Sequence, residues 1–390
     1  MTPNTAAFDN WIRTTFVTLN TGLEELYFEQ EDRAAVEGVG DDLKQRLLEE
    51  GRELIVPLIS EGNTDEGFDA GFALLGNVGL YMAACRRHEL TEPSRERTSP
   101  LVEASTLALE LGAALGVTPR FATSHLATHN RAEGGIYKTF TTLEDEAFFL
   151  EYNTRGVLAY KRAADALVRI LPLGVSHPVA WDLLKAAKDA LVDVTLFNDA
   201  LFERLDVDRF FYCVRPYYKP YRVGLHEYRG ANAGDFAGIN EIDLMLGLCS
   251  SSDLSYSQLL VDKFLYMMPD DQARLRDVMR RESLLNEFLQ ALDSCGDAPW
   301  FRNNAAMFLE VLDAHGRTAA QHHDQLVSRF IERPSGSLRE EHLDHITASG
   351  PPLPVLLRGL EKLRDRRLAA DRSDIPTRHA DIQRLRAALA

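Results

Sequence analysis

The sequence predicts an all-α protein with a large helical domain and a smaller N-terminal helical layer. A helical period dominates the pattern of apolar residues, and strand-like alternation bounded by NG or DG turns is nearly absent, so we expect little or no sheet. The 390 residues, 45% hydrophobic and 26% charged, fall in the range of globular proteins. We place the N-terminal helical region at residues 1–115 and the C-terminal domain at residues 116–390.

Apolar periodicity and helix-terminating residues set the predicted helices. Residues 67–87 are apolar almost all round, which is typical of a buried helix. Gly116 ends an amphipathic pattern, and acidic residues at 144–146 favour the first turn of another helix. The predicted helices are residues 67–87, 101–116, 143–170, 178–204, further long helical patterns within 256–293, and 303–331.

Charge and cysteine content restrict the partners of the protein. The chain has 43 basic and 59 acidic residues and a formal charge of −16, which argues against a nucleic acid or an anionic membrane as partner. The four cysteines lie far apart and form no CxxC pair, so we expect neither a zinc framework nor disulfides. With no apolar stretch of about 18 residues and no leader pattern, we expect a cytoplasmic protein.

Residues 303–331 are predicted to form one long helix with an irregularity at Gly316. The adjacent His322 and His323 point about 100° apart on such a helix. The stripe that contains His323 is apolar and comprises Leu312, Gly316, Ala319, Ala320, Leu326, Val327 and Phe330. The stripe that contains His322 is more polar and comprises His315, Thr318, Gln325 and Arg329.

His323 is therefore the buried member of the pair. Small residues one turn before it would leave room for a flat macrocycle, and one neutral imidazole suits a five-coordinate haem. The alternative is a core histidine that bonds to a backbone carbonyl.

Residues 208–248 contain the chemistry of a site for a planar, carboxylate-bearing ligand. Phe210 and Phe211 can stack on a ring, and Arg215 can hold a carboxylate through two hydrogen bonds. The small residues at 230–234 allow backbone to approach a ligand closely. The alternative is a Gly-rich connection between core helices, with Arg215 in a structural ion pair.

The order of these features resembles the haem superfamily of indoleamine and tryptophan 2,3-dioxygenases, and within it the PrnB-like branch. The likeness covers roughly residues 65–370. It is strongest at residues 208–248 and 319–331. The stretches that carry it are GLYMAACRRHELTEP, LGVTPRFATSHLATHN, LEDEAFFLE, VRPYYKPYRVGLHEYRG and HDQLVSRFI.

The resemblance implies a role for each matching residue. His323 is expected to be the proximal ligand of haem b iron, with Ala319 and Val327 against the cofactor. Phe210 and Phe211 match aromatics beside the substrate ring, and Arg215 matches the arginine that binds the substrate carboxylate. The loop expected beside the distal haem face comprises Gly230, Ala231, Asn232, Ala233 and Gly234. The residues expected on the distal helix are Phe148, Phe149 and Tyr152, with Asn153 as an alternative to Tyr152.

The chain also departs from the dioxygenases. Ala320 stands where they have an arginine near a haem propionate, and Arg317, Arg329 and Arg333 are alternative cations. The loop at 347–350, expected to close over the substrate's amino acid group, has fewer glycines, which disfavours a kynurenine-forming reaction. Metal binding by the pair His125 and His129, or by His342 and His345, is a minor alternative.

We therefore expect a haem-dependent oxygenase that acts with O2 on tryptophan or a derivative, by oxidation or ring rearrangement in secondary metabolism. The alternatives are a non-catalytic protein of the same fold that binds haem or an aromatic ligand, and a helical scaffold without cofactor. We expect a monomer or a homo-oligomer.

Overall fold

The computed structural model describes residues 2–62, 66–232, 234–335 and 352–390. It is 69% helical, which confirms the all-α prediction. In the described ranges, the named strands are β1 (Tyr221–Val223) and β2 (His226–Tyr228), which pair as one antiparallel hairpin. The expectation of little or no sheet is thereby confirmed.

The helices follow one another with short connections. The first are α1 Pro3–Arg13, α2 Thr15–Phe28, α3 Asp41–Glu61, α4 Phe68–Arg87, α5 Val102–Leu115, α6 Thr123–Leu126, α7 Glu144–Ile170, α8 Ala180–Arg204 and α9 Val207–Arg209. The later ones are α10 Ala237–Met245, α11 Leu254–Phe264, α12 Pro269–Val278, α13 Leu284–Cys295, α14 Pro299–Gln321, α15 Arg333–Ser335, α16 Leu353–Arg367 and α17 His379–Leu389. Two π-helical segments, Phe210–Val214 and His322–Glu332, and a 3-10 helix, Arg215–Tyr218, complete the secondary structure.

Local sequence explains most helix boundaries. Gly116 adopts the left-handed conformation (φ +67°) that terminates α5, as predicted. The pattern at 256–293 divides into α11, α12 and α13. Pro269 begins α12, and the Ser283 side chain caps α13 by accepting a hydrogen bond from the Asn286 amide.

The chain forms two compact units, each assembled from three segments. The first comprises Met1–Glu151, Arg204–Asp235 and Phe330–Leu353. The second comprises Tyr152–Glu203, Phe236–Arg329 and Pro354–Ala390. The expected boundary between residues 115 and 116 falls inside the first unit and stays a prediction about domain organisation.

Helix α4 is the central helix of the first unit. It is long and apolar enough to span a membrane, but 78% of its most apolar window is buried inside the protein, as a core helix requires. Arg87, in its last turn, donates two hydrogen bonds to Glu24 on α2, at 2.9 and 2.8 Å. Both side chains are buried, so each charge neutralises the other where water cannot.

Aromatic packing in the first unit fixes the 3-10 helix Arg215–Tyr218. The Phe140 ring stacks on Tyr217 with 4.3 Å between centroids and meets Tyr218 edge to face. The Phe121 ring contacts both Phe140 and Tyr218. Arg215, at the first position of this 3-10 helix, is therefore held on a rigid support.

The core of the second unit is formed by α7, α8, α10 to α14 and α17. Phe288 on α13 packs against Phe308 on α14, with ring centroids 4.8 Å apart. Gly316 on α14 lies against the chain that leaves α16, because an added Cβ would come within 2.9 Å of Leu368. Gly316 therefore permits close helix approach and is not the irregularity that the sequence predicted.

A buried carboxylate joins four helices of the second unit. Asp243 on α10 accepts hydrogen bonds from His315 Nε2 on α14 at 2.7 Å and from the Tyr256 hydroxyl on α11 at 2.8 Å. Arg367 on α16 donates Nε and Nη2 to its two oxygens at 2.8 and 2.7 Å. These partners hold the pKa of Asp243 well below its usual range despite the opposing effect of burial.

The placement of His315 and Thr318 on a polar stripe was wrong. His315 is 0% exposed and Thr318 is 1% exposed. His315 bonds to Asp243, and the Thr318 hydroxyl donates to the His315 carbonyl at 2.8 Å. Polar residues face the core here because their partners lie there, and periodicity cannot reveal such partners.

Asp243→Asn should lower the free energy of unfolding by about 3–5 kcal/mol, because Arg367 would keep a buried charge without a counter-ion. Urea denaturation measures this loss. Asp293→Asn is the matched control, since its partner Arg384 is exposed and the pair should contribute less than about 1 kcal/mol. The carboxylate's contribution is present above the pKa of an unfolded aspartate and falls as the pH drops below it. Equal losses in the two variants would contradict a supporting role for Asp243.

Candidate active site

His323 lies at the start of the second π-helical segment, with its ring held by charged neighbours. Its Nδ1 is 3.1 Å from Asp324 Oδ1 and 3.3 Å from Arg364 Nη1. Arg364 also pairs with Asp324 at 3.5 Å. A guanidinium cannot accept a proton, so we assign the Nδ1 proton to the bond with Asp324.

This tautomer leaves the other ring nitrogen of His323 as an acceptor. Within the described part of the chain, Nε2 has no hydrogen-bond partner, and the side chain is 22% exposed. Histidines that bind metals usually donate the remaining N–H to a carboxylate, which orients the ring and raises its basicity. His323 with Asp324 therefore fits an axial ligand of haem iron.

The helix changes type just before His323. The α-helix α14 ends at Gln321, and the segment that follows has π-type hydrogen bonds. The prediction of one continuous α-helix over 303–331 was wrong in this respect. π-helical turns are rare and are frequent at functional sites.

Side chains anchor both ends of this π-helical segment to α8. Gln321 Nε2 donates to the Thr195 carbonyl and to Asp199, and its Oε1 accepts from Asn198. Near the other end, Arg329 donates to the Phe202 carbonyl at 2.9 Å. These contacts hold a wide turn that would otherwise relax to an α-helix.

Ala319 and Val327 flank His323, four residues before and after it. They are 6% and 2% exposed, whereas His322 is exposed. Of the pair of adjacent histidines, His323 is thus the more buried, as predicted.

In the first unit, the other π-helical segment brings two of the predicted aromatics to Arg215. The Phe210 ring lies 5.1 Å from Phe149 and 6.0 Å from Phe330. The Arg215 guanidinium lies over the Phe211 ring at 5.5 Å. Phe148 lies instead against Arg204, whose guanidinium is 3.8 Å from its ring centroid, so Phe149 is the α7 aromatic that joins this cluster.

Arg215 lacks a counter-ion among the described residues. Glu24, the buried acid of this unit, is already bound by Arg87. Burial without a compensating charge lowers the pKa of the Arg215 guanidinium to about 10. The expectation of a structural ion pair at Arg215 has no support in the described chain, and the cation is available to an anionic ligand.

The predicted small-residue loop is partly described. Asp235 shapes it by accepting from the Asn232 amide at 3.1 Å and from Arg229 at 2.5 Å. The Gly234 amide donates to the Asn232 side chain at 2.8 Å, an Asx turn. Gly230 and Ala231 are buried, Asn232 is exposed, and Ala233 lies outside the described residues.

The remaining candidates are placed as follows. Tyr152 belongs to the second unit, where it is half-buried with Arg155 5.3 Å from its ring. The side-chain nitrogen of its neighbour Asn153 is buried without an acceptor. The loop at 347–350 and the pair at 342 and 345 lie outside the described residues.

His125 is a core histidine. Its ring stacks on Phe72 with centroids 3.7 Å apart, and its Nδ1 lies 2.8 Å from the Ala122 amide. Burial lowers its pKa to about 3. The described residues contain no group of three or more metal-ligating side chains, and all four cysteines are free.

Sequence reasoning did not identify Asp324 and Arg364 as partners of His323, or Phe149 as the contact of Phe210. Asp324 could have been noticed, because an acid next to a candidate ligand can orient it. Arg364 could not, because it lies 41 residues away in the chain.

An all-helical chain with a carboxylate-oriented histidine, and an unpaired arginine beside aromatic rings, has the features of a haem-dependent oxygenase. The family model of PrnB, described as monodechloroaminopyrrolnitrin synthase, matches residues 2–389. The chain belongs to the PrnB family. It is an enzyme of the oxidoreductase class, and the family consists of haem-dependent oxygenases that act on a tryptophan derivative in pyrrolnitrin biosynthesis.

Arg215→Met should raise the free energy of unfolding by about 1 kcal/mol or more, because it removes a poorly solvated charge that no acid in the described chain compensates. Arg87→Met is the matched control. It should lower the free energy of unfolding, since it leaves Glu24 buried without a partner. Urea denaturation of both proteins without ligand measures the difference. A large loss of stability in Arg215→Met would reveal a structural role for this arginine.

Proposed function

We propose that this enzyme is a haem b-dependent oxygenase that acts with O2 on tryptophan or a close derivative, in an oxidation or ring rearrangement of secondary metabolism. The observation that supports this substrate class is Arg215, a desolvated cation beside Phe211 with no acid paired to it in the described chain. An aromatic amino acid supplies both the ring and the carboxylate that this arrangement would bind.

His323 is the residue proposed to hold the haem. The cofactor, when bound, supplies the oxygen-activating chemistry. Asp324 would keep the proton of the ligand on Nδ1, so that Nε2 remains available, and Arg364 would hold Asp324 in place. Ala319 and Val327 would offer small and apolar surfaces on either side of this ligand.

Phe210 and Phe211 are proposed to orient the substrate ring, with Phe149 supporting Phe210. Arg215 would fix the carboxylate, and the 3-10 helix that carries it is held by the packing of Phe140 on Tyr217. Two fixed points, one on the ring and one on the carboxylate, define the orientation of a planar amino acid. The apolar surroundings would also exclude water from the ring.

The other predicted contacts keep their proposed places. Gly230 to Gly234 would form the loop beside the distal face, with Asp235 as its anchor. Tyr152 and Asn153 are competing polar contacts from α7, and the unpaired amide of Asn153 favours Asn153. Phe148 is proposed as an outer aromatic of the same helix, and no residue is assigned as a base.

Family membership in a group of enzymes disfavours the two alternatives, a non-catalytic binding protein and a scaffold without cofactor. We further propose that the enzyme works in the cytoplasm, as a monomer or homo-oligomer, with small molecules as its partners and without nucleic acid or membrane.

His323→Ala should abolish stoichiometric haem binding, because the axial nitrogen is removed. Haem content after expression with haem supplementation measures this, by the Soret absorbance relative to protein. His322→Ala, at the exposed neighbouring position, is the control and should retain haem. Unaltered haem content in His323→Ala would refute the ligand assignment.

Tryptophan should shift the Soret band of the reduced wild-type enzyme, and Arg215→Met should weaken this response about tenfold or more by loss of a charge-assisted hydrogen bond. The measurement is a titration at constant haem content. Arg204→Met, which removes an arginine stacked on Phe148, is the control. A Soret band that ignores tryptophan in the wild type would retain the haem and reject this substrate class. An unchanged affinity in Arg215→Met would reject the role of Arg215.

A further inference from the structure

The second unit contains a cavity of about 330 Å³ to which no function has yet been assigned. This volume lies at the lower end of the range of ligand pockets, about 300–1,000 Å³. Its apolar part is formed by buried side chains of Leu244, Leu248 and Val278, which are 8%, 2% and 4% exposed. The rest of the lining is polar, and none of the lining residues belongs to the candidate active site.

Three helices of the second unit begin at this cavity. Asp253 caps α11, Ser283 caps α13 and Arg378 precedes α17, and all three residues line the cavity. Helix N-termini carry partial positive charge and exposed amide donors. Asp253 and Ser283 each accept one amide at their helix, whereas the Arg378 side chain makes no capping bond.

The arginines that line the cavity have more donors than acceptors. Each guanidinium has five N–H donors. In the part of the chain described, Arg281 uses only Nε, which donates to Asp277 at 2.8 Å. Arg378 donates Nε to Asp381 at 2.5 Å and Nη2 to Asn286 at 2.7 Å, with a weaker contact to the Gly247 carbonyl at 3.4 Å.

Arg366 adds a cation that is almost completely buried. It is 7% exposed, it lines the cavity and its Nε has no acceptor, although its other nitrogens bond to Asp253 and Ser255.

The two acids in the lining are already engaged. Asp253 accepts from Arg366 and from the Tyr256 amide, and Glu282 accepts from the Asn286 side chain. Additional acceptors at the rim would therefore have to come from a ligand. The ligand that matches these features has an anionic group for the rim and an apolar body for the floor.

We propose that this cavity is a second binding site, for a small organic carboxylate with an apolar body. Arg281 and Arg378 hold the carboxylate at the rim, and Leu244, Leu248 and Val278 contact the body. Inorganic anions would leave the apolar floor uncovered, which disfavours them. The inference is independent of the proposed function, because no residue is shared.

Calorimetric titration with phenylacetate tests the proposal. The protein is the full-length Arg215→Met variant, so that the candidate substrate site contributes no carboxylate binding. Saturable binding of phenylacetate is expected, with phenylacetamide, its neutral analogue, about tenfold weaker or more because it lacks the charge. Equal binding of the two compounds, or no saturable binding of phenylacetate, would overturn the proposal.

Three variants in the same background locate the binding. Arg378→Gln should weaken phenylacetate about tenfold or more, and Ser250→Trp, at an exposed lining position, should block the cavity without touching an arginine. Arg384→Gln removes an arginine of α17 outside the lining and should leave affinity unchanged. Urea denaturation checks that each protein is folded. Retained affinity in both Arg378→Gln and Ser250→Trp would place the binding elsewhere and refute the site.

Discussion

Asp243 accepts hydrogen bonds from His315, Tyr256 and Arg367, and through them it ties α10 to α11, α14 and α16. A carboxylate in an apolar interior is costly unless its oxygens are satisfied, and here both oxygens accept from charged or polar groups. The helix held by His315 continues directly into the segment that carries His323. The same interaction therefore supports the fold of the second unit and the position of the proposed haem ligand.

Much of the fold was accessible from sequence, because helix patterning and terminators are local. Helix α4 was recognised from its apolar surface and α5 from Gly116, and both were found as predicted. The polar residues of the core were not, because His315 looks like a surface residue until Asp243 is placed beside it. Gly316 was misread for the same reason, since its contact with Leu368 is made by chain far along the sequence.

The candidate site was predicted in part, and the missing parts are equally physical. His323 and Arg215 were identified through a resemblance as well as through their chemistry. Both are borne by or follow π-helical segments, Phe210–Val214 and His322–Glu332, where the α-helical period no longer describes which side chains share a face. Phe149 replaced Phe148 as the contact of Phe210 at such a place.

The two buried arginines of the first unit show how one fold uses the same charge in two ways. Arg87 is neutralised by Glu24 and belongs to the core, while Arg215 has Phe211 beneath it and no acid beside it in the described chain. An uncompensated guanidinium makes selectivity a matter of what a ligand lacks. Tryptamine and indole share the ring of tryptophan but would leave this charge unsatisfied, and a site built for a polar partner rejects such analogues strongly. In a cell that contains all three compounds, this arginine alone would confine the enzyme to the amino acid pool.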